Sequence, residues 1–523
     1  MTQDHHDRSH PLSLDTELID RLRADLQASE WTVALVEMLL SPSSRAALDR
    51  DQVLPAQLHL RHHTSAAATF TRLFVLGAEV DRIHILTAFP QLGEEGAVEL
   101  GLIEPLEGGT KYRARVDLRP HTAEIGQAEH HWWVASDLSE AQTGHGPKPD
   151  HVLGIAGAST TLAMQTMRDE VDRALDLGCG SGILALYLST HAREVVATDI
   201  SARACNFTRF NSALNQAGID VREGSFFEPV EDETFDLIAS NPPFVITPES
   251  TRKQARLEYR DAGMEGDAVL PLILSQAVAH LRDGGSVQIL ANWGVDRHLN
   301  RWQVRPTKWV EDATADLVEG GGVAQAWIVR RDLVDAAQYA HWWMLDEHGQ
   351  RPDPKIWQED YREWLRHFSR VGATYIGLGS IAIRVHHRGG PELVVVAEDL
   401  SEALPLDGTA VRTALDHLTL PADWEDTHFL RAPDVREVRY YVPGSPDPEL
   451  VRLVQGRPGG RERDVSSAVA ALVGVCGGEL TPAQVIPAIA TLLGEEEGEV
   501  RRQVEEALPT LLLSGALEEV EPA

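Results

Sequence analysis

The stretch Leu175-Asp176-Leu177-Gly178-Cys179-Gly180-Ser181-Gly182 constrains the fold more than any other part of the chain. A short apolar run closes as a strand, and alternate glycines let the backbone turn tightly beside a ligand. The helix that follows points its first free N–H groups at the turn. A strand that passes straight into a helix opens a strand–helix–strand unit, whose sheet is parallel. The same rhythm continues through Val195-Val196-Ala197-Thr198, Phe235-Asp236-Leu237-Ile238-Ala239, Ser286-Val287-Gln288-Ile289-Leu290 and Ala324-Gln325-Ala326-Trp327-Ile328-Val329, with helical stretches between. The segment from Ile376 to Val385 returns as the last strand. The expected core is therefore α/β, with a doubly wound, mostly parallel sheet.

Asp199 ends the next strand about 20 residues beyond the glycines, where a carboxylate takes both hydroxyls of a ribose. Gly-x-Gly-x-Gly alone also suits a dinucleotide fold. Asp176, just ahead of the glycines, favours a ligand with a cationic amino-acid end over one with a pyrophosphate.

Asp-x-Gly-Cys-Gly-Ser-Gly, then Asp199, then Asn241-Pro242-Pro243-Phe244 after a further strand resemble the class I S-adenosylmethionine-dependent methyltransferases. Within these the chain looks like the branch holding the release-factor glutamine and ribosomal RNA guanine methyltransferases. The resemblance covers about residues 150–330, and to 400 with the last strand. It implies a seven-stranded sheet, S-adenosyl-L-methionine as cofactor, and a cofactor-binding set of Asp176, Gly178, Cys179, Gly180, Gly182, Asp199, Ile200, Ser225, Phe226 and Asn241. Gly224-Ser225-Phe226-Phe227 stands where the family often has Gly-Asp-x-Phe, the Asp reaching the adenine amine. With Ser225 in its place, a backbone contact and packing by Phe226 are the expected substitutes. Leu153 to Thr161 occupies the place of a segment that covers the cofactor, where Ser159 or Thr160 would meet the cofactor carboxylate or cap a helix.

The resemblance assigns the chemistry to Asn241, Pro242, Pro243 and Phe244. Methylating a planar nitrogen requires its lone pair to be freed from conjugation and aimed at the sulfonium methyl. The Asn241 side-chain oxygen and the carbonyl of Pro242 can accept both amine hydrogens. Two prolines lock the turn that presents them, and Phe244 can stack on the target's flat face. Adenine, guanine and glutamine all fit this motif, with Phe244 leaning toward the guanine enzymes. Downstream, Tyr259-Arg260-Asp261-Ala262-Gly263 resembles a segment of the glutamine enzymes. Arg252, Lys253, Arg256, Tyr259 and Arg260 make a basic substrate-side cluster suited to a phosphate or an acidic group.

The flanks are read differently. Residues 1–12 form a disordered tail. Residues 13–140 read as a mainly helical, winged-helix-like domain, with helical stretches at 14–22, 66–74 and 97–103 and strands at 112–118 and 131–135. The methyltransferase domain spans 150–400 and carries a Trp-rich helical insertion, 335–372, before its last strand. A Gly/Pro-rich joint, Gly456-Arg457-Pro458-Gly459-Gly460, leads into a second winged-helix-like domain within 430–523, with helices at 466–475, 481–493 and 499–513.

A net charge of -33 opposes polynucleotide binding unless a local basic patch exists. The 3 cysteines are widely spaced, and His62-His63 and His130-His131 lack companions, so no metal site is expected. The polar opening and the absence of a long apolar run place the chain in the cytoplasm, with no membrane partner. Three acceptor classes stay open: RNA, a translation-related protein, or a small molecule. A nucleic-acid-binding regulator with a vestigial methyltransferase fold is the reading outside enzymes.

Overall fold

The computed structural model describes residues 11–126, 128–144, 146–248, 267–348 and 353–521. Contacts divide the chain into two units: residues 1–160, 170–273 and 335–374, and residues 161–169, 274–334 and 375–523. A large, mostly parallel sheet of eight strands is shared out as four strands in each.

In the first unit these are β1 (Val171–Leu177), β2 (Ala192–Asp199), β3 (Asp220–Glu223) and β4 (Phe235–Ser240), in the order β4-β1-β2-β3. All three pairings are parallel, and the register sets Leu177 beside both Thr198 and Ser240, and Asp199 beside Glu223. The carboxyl ends of the four strands therefore fall together. Ala174, Leu175, Val196, Ala197, Ile238 and Ala239 are buried, as strands covered on both faces require.

The N-terminal part of this unit is helical, from Thr16–Ala28 to Gly93–Glu99, around Trp31, Phe70, Phe74 and Phe89. Trp31 and Phe70 lie 5.4 Å apart and Phe70 and Phe89 5.0 Å apart, ring centre to ring centre. The expected strand 112–118 is in fact two. Lys111–Ala114 pairs with Val80–Asp81 and Ile103–Leu106, whereas Asp117–Ile125 pairs with Ala128–Ser136 in a separate ribbon. The break is set by Asp117, a buried carboxylate that collects Arg119 Nε at 2.8 Å and Gln142 Nε2 at 2.8 Å. The expected helix at 97–103 ends instead at Glu99, because Gly101 turns with φ +82° against the Pro11 carbonyl. Pro11 and Leu12 are also not part of a loose tail: both are buried, and residues 1–10 lie outside the described residues.

Leu12 is held by one of three matching clamps on the helix Ala202–Asn215. Asn206 accepts the Leu12 N–H at 3.0 Å and donates to its carbonyl at 2.9 Å. Asn211 does the same to Ala135 at 2.7 and 2.8 Å, and Asn215 to Trp133 at 2.9 and 2.8 Å. Each carboxamide thus satisfies a donor and an acceptor that secondary structure leaves open. The insertion forms two helices, Ala336–His348 and Pro354–Val371, packed around Tyr339, Trp364 and Phe368.

The second unit carries β5 (Leu281–Val295), β6 (Val323–Asp335), β7 (Tyr375–His386) and β8 (Glu392–Asp399), in the order β8-β6-β7-β5. β5 and β7 are antiparallel, and β6 and β8 parallel. The eighth strand corrects the expected seven, and β7 is not the last: the chain turns through Gly389 and Gly390, and the run Leu393-Val394-Val395-Val396 extends the sheet beside β6. Trp293 of β5 lies across Gly377 and Gly379 of β7, where a Cβ would come within 2.6 and 2.9 Å of its ring.

The joint at 456–460 is also corrected. It is the loop of a hairpin between Leu450–Val454 and Glu462–Val465, closed by Gly460 N–H to the Arg457 carbonyl at 2.8 Å. The three closing helices are Ser467–Val475, Pro482–Leu493 and Glu497–Leu513, and Thr481 caps the second with Gln484.

Candidate active site

The sequence motifs converge where β1, β2, β3 and β4 end. Gly178, Gly180 and Gly182 have φ of +80°, +54° and +81°, conformations that only glycine adopts cheaply. The N–H groups of Gly178 and Cys179 both reach the Thr198 carbonyl, at 2.8 and 3.0 Å, so the turn leans onto β2. The three glycines differ in what a side chain would meet. A Cβ on Gly178 or Gly180 would enter open space, whereas one on Gly182 would strike Thr208 at 2.8 Å. Gly182 thus seats the helix Ile183–Leu188, and the other two line a space that a ligand can enter.

Asp199 Oδ2 accepts the Gly180 N–H and Oδ1 the Ser201 N–H, both at 2.9 Å, so its carboxylate is fixed beside the glycine turn. Ile200, next in the chain, is 67% exposed. Asp176 is buried and accepts the Ala185 N–H, yet its Oδ2 has no hydrogen-bond partner. Burial, with Asp199 close by, pushes its carboxyl up to about 7. The Cys179 thiol is buried, and its contact with Cys205 together with burial holds it well above the ordinary thiol range, while Thr208 Oγ1 donates to its sulfur at 3.3 Å. Only its backbone is left for a ligand.

At the end of β3, Phe226 takes φ +46°, an uncommon conformation for a large side chain, and its carbonyl accepts Thr198 Oγ1 at 3.3 Å. The Ser225 N–H points at Glu228 Oε2, 3.3 Å away. Glu228 thus sets an exposed carboxylate against the Ser225 backbone.

β4 delivers the second motif. Ser240 is buried and donates its hydroxyl to the Leu177 carbonyl at 2.7 Å, which ties the end of β4 to the end of β1. Asn241 Nδ2 donates to Ser159 Oγ at 3.0 Å, and its Oδ1 is buried with no partner. Pro242 is buried and Phe244 half-buried. Two residues further, the Ile246 N–H donates to the Tyr339 hydroxyl at 3.3 Å, so the inserted helices brace the exit of this loop. Thr160 turns its hydroxyl back to the Ala156 and Gly157 carbonyls. Arg252, Lys253, Arg256, Tyr259 and Arg260 lie outside the described residues.

Ser159, Ser240, Tyr339 and Glu228 were not legible as one group. In sequence Ser159 reads as a contact for the cofactor carboxylate or as a helix cap, not as a partner of Asn241, and nothing in sequence links residue 339 to residue 246.

A family model described as methyltransferase small domain matches residues 155–301, and another, described as a domain of unknown function, matches residues 28–115. The release factor glutamine methyltransferase of Xylella fastidiosa is 36% identical over 129 residues, which cover 23% of this chain and 47% of that protein. The chain thus spans about half the length of the first relatives it matches. The release factor glutamine methyltransferase of Deinococcus radiodurans is 32% identical over 244 residues, 43% of this chain and 82% of that protein. The ribosomal RNA small subunit methyltransferase C of an Enterobacter species is 28% identical over 296 residues, 56% of this chain and 76% of that protein.

Proposed function

We propose, for a chain that belongs to the family of S-adenosylmethionine-dependent methyltransferases built on the methyltransferase small domain, that it transfers a methyl group to a planar amide or ring-attached amine nitrogen. One observation carries this reading: Asn241 Oδ1 is buried and unmatched at the end of β4 while the other end of the same carboxamide is tied down. A buried acceptor without a donor is costly in isolation and is relieved when a substrate N–H arrives.

The residues fit the cofactor. The open faces of Gly178 and Gly180 and the unmatched Asp176 Oδ2 suit its cationic methionine end. Asp199 suits the ribose, and Ile200 with Phe226 the adenine faces, with Glu228 as the acid that Ser225 does not supply. When bound, the cofactor supplies an electrophilic methyl on a sulfonium that is a good leaving group.

The chain's own part is orientation. Asn241 Oδ1 and the Pro242 carbonyl accept the two hydrogens of the target amine and turn its lone pair out of conjugation. Phe244 covers the planar group. No strong base is required, and the surplus proton leaves to water once the nitrogen has been methylated.

RNA or a protein of the translation apparatus is the acceptor class we favour, supported by relatives named for a release factor and for ribosomal RNA. The C-terminal helices beside the paired strands His428–Arg431 and Leu517–Val520 support a winged-helix-like module for docking such a substrate. Transfer of a tritiated methyl group from labelled cofactor to fractionated cell extract tests this. Label is expected in RNA or protein, and label confined to small molecules overturns that acceptor class. Asn241→Ala is expected to abolish transfer with cofactor affinity nearly unchanged; full activity in that variant would reject the mechanism.

A further inference from the structure

We infer that Arg461 and Arg463 form a phosphate-binding site in the second unit, built from none of the residues assigned to methyl transfer. The sequence sorts the charges there. Arg461-Glu462-Arg463-Asp464 alternates in sign and runs into the strand Glu462–Val465, where successive side chains point to opposite faces. Glu462 and Asp464 share one face, and both pair with Arg452 of the neighbouring strand Leu450–Val454, at 2.8 and 2.6 Å. Arg463 belongs to the other face, with buried Leu453 as its cross-strand neighbour. Each acid of the run is thus spent on the far side of the sheet, and the arginines are left together.

Arg461 reaches Glu398 of β8 with both prongs, Nη1 to Oε1 at 2.8 Å and Nη2 to Oε2 at 3.3 Å. Glu398 also accepts Trp327 Nε1 at 3.1 Å, so its carboxylate already serves three donors. Among the described residues Arg463 pairs with no carboxylate and no carbonyl; its Nη1 and the Nε of Arg461 are buried without an acceptor. Two guanidinium groups therefore stand against one carboxylate. A guanidinium only donates, so every unmatched N–H calls for an acceptor. Water can match an N–H but not the surplus charge. Burial, with the Arg461 charge beside it, pushes the Arg463 guanidinium down to about 10 against the pull of Glu398. This surplus is local, in a chain whose net charge is -33. Phosphate suits it best, because its oxygens spread a negative charge over several acceptors and take the planar N–H pairs of arginine two at a time. Arg463 is half-buried on the edge strand of a three-stranded sheet with Arg436–Tyr440 and Leu450–Val454, so the group is reached from solvent.

The test is melting and calorimetry of the full chain in sodium phosphate, against sodium chloride and sodium acetate at equal ionic strength. The parent, Arg463→Met and Arg463→Lys are compared. Phosphate is expected to raise the parent's melting temperature above both controls. Arg463→Met is expected to lose most of that rise, with phosphate affinity down by roughly 10-fold or more. Arg463→Lys keeps the charge but not the planar fork, and a loss of about threefold is expected. Should the Met variant fail to fold, Arg463→Lys carries the comparison, and unchanged phosphate affinity in it overturns the site. A parent that gains no more from phosphate than from chloride or acetate overturns it, and so does a phosphate effect that Arg463→Met retains. A short single-stranded RNA, titrated in the same way, separates the two sources of phosphate. RNA binding that Arg463→Met weakens and inorganic phosphate competes away assigns the site to a polynucleotide backbone. Arg463-dependent binding of inorganic phosphate alone assigns it to a free phosphate group.

Discussion

Asp176 shows how one side chain carries both a cost and a use. Its unfolded-state value is 3.8 and its value in the fold is about 7, raised by burial and by the Asp199 charge against the pull of the Ala185 N–H. The folded protein therefore holds that proton more tightly than the unfolded chain. The cost of burying it is absent below about pH 4, grows as pH rises, and is complete above about pH 7. Asp176→Asn should remove this dependence, so its melting temperature should exceed the parent's by a few degrees at pH 8 and by much less at pH 5. Equal gaps at both values would reject the assignment. A cationic cofactor end favours the carboxylate, so S-adenosylhomocysteine should also bind the parent more tightly at pH 8 than at pH 6, with proton release seen by calorimetry in two buffers. The glycines separate in the same way. Gly180→Ala should cost about 1 kcal/mol of stability but most of the cofactor affinity, because its new methyl enters open space. Gly182→Ala should cost clearly more stability, because Thr208 stands in the way. The motif showed in sequence that all three are glycine, but not that their reasons differ, since Thr208 lies on another element.

The helix Ala202–Asn215 joins β2 to β3, and its three asparagines carry no local sign of a partner. In the fold Asn206 and Asn211 are buried, and all three amides are matched to backbone of the N-terminal part. Such pairing was illegible because each partner lies 76 to 194 residues away. Asn211→Ala should destabilise the protein by about 2–4 kcal/mol, since it strands both a donor and an acceptor at Ala135. Urea unfolding measures this, and a loss below about 0.5 kcal/mol would show that water replaces the clamp. Tyr339→Phe removes the acceptor for the Ile246 N–H. It should lower turnover more than stability, as a brace on the Asn241–Phe244 loop would.

For the whole molecule, the strand–turn–helix alternation made the α/β class and the carboxyl-end site legible, because local patterns there agree with the fold. β3 was missed because it is only four residues long and mostly polar, and β8, although Leu393–Val396 is a mostly β-branched run after Gly389-Gly390-Pro391, because 376–385 reads as the strand that closes the sheet. The split of 112–118 was missed because alternation continues through Arg115 and Val116 and only the partners of Asp117 reveal the break. A chain beginning at residue 150 should be poorly soluble or unfolded, since it bares the face of Ala202–Asn215 that carries the clamps. A cooperative melt close to the parent's would show instead that the N-terminal part is an appendage. The clamps carry one more consequence. Asn211 and Asn215 are four residues apart on a helix, a rise of about 6 Å, and Ala135 and Trp133 are two apart on a strand, about 6.6 Å. The match is one of length. Single replacements at these sites can be absorbed one at a time, whereas gaining or losing one residue in either stretch puts both pairs out of step together. Evolutionary change in chain length, freely taken up in the hairpins and insertions elsewhere, should therefore be excluded from 133–135 and 206–215.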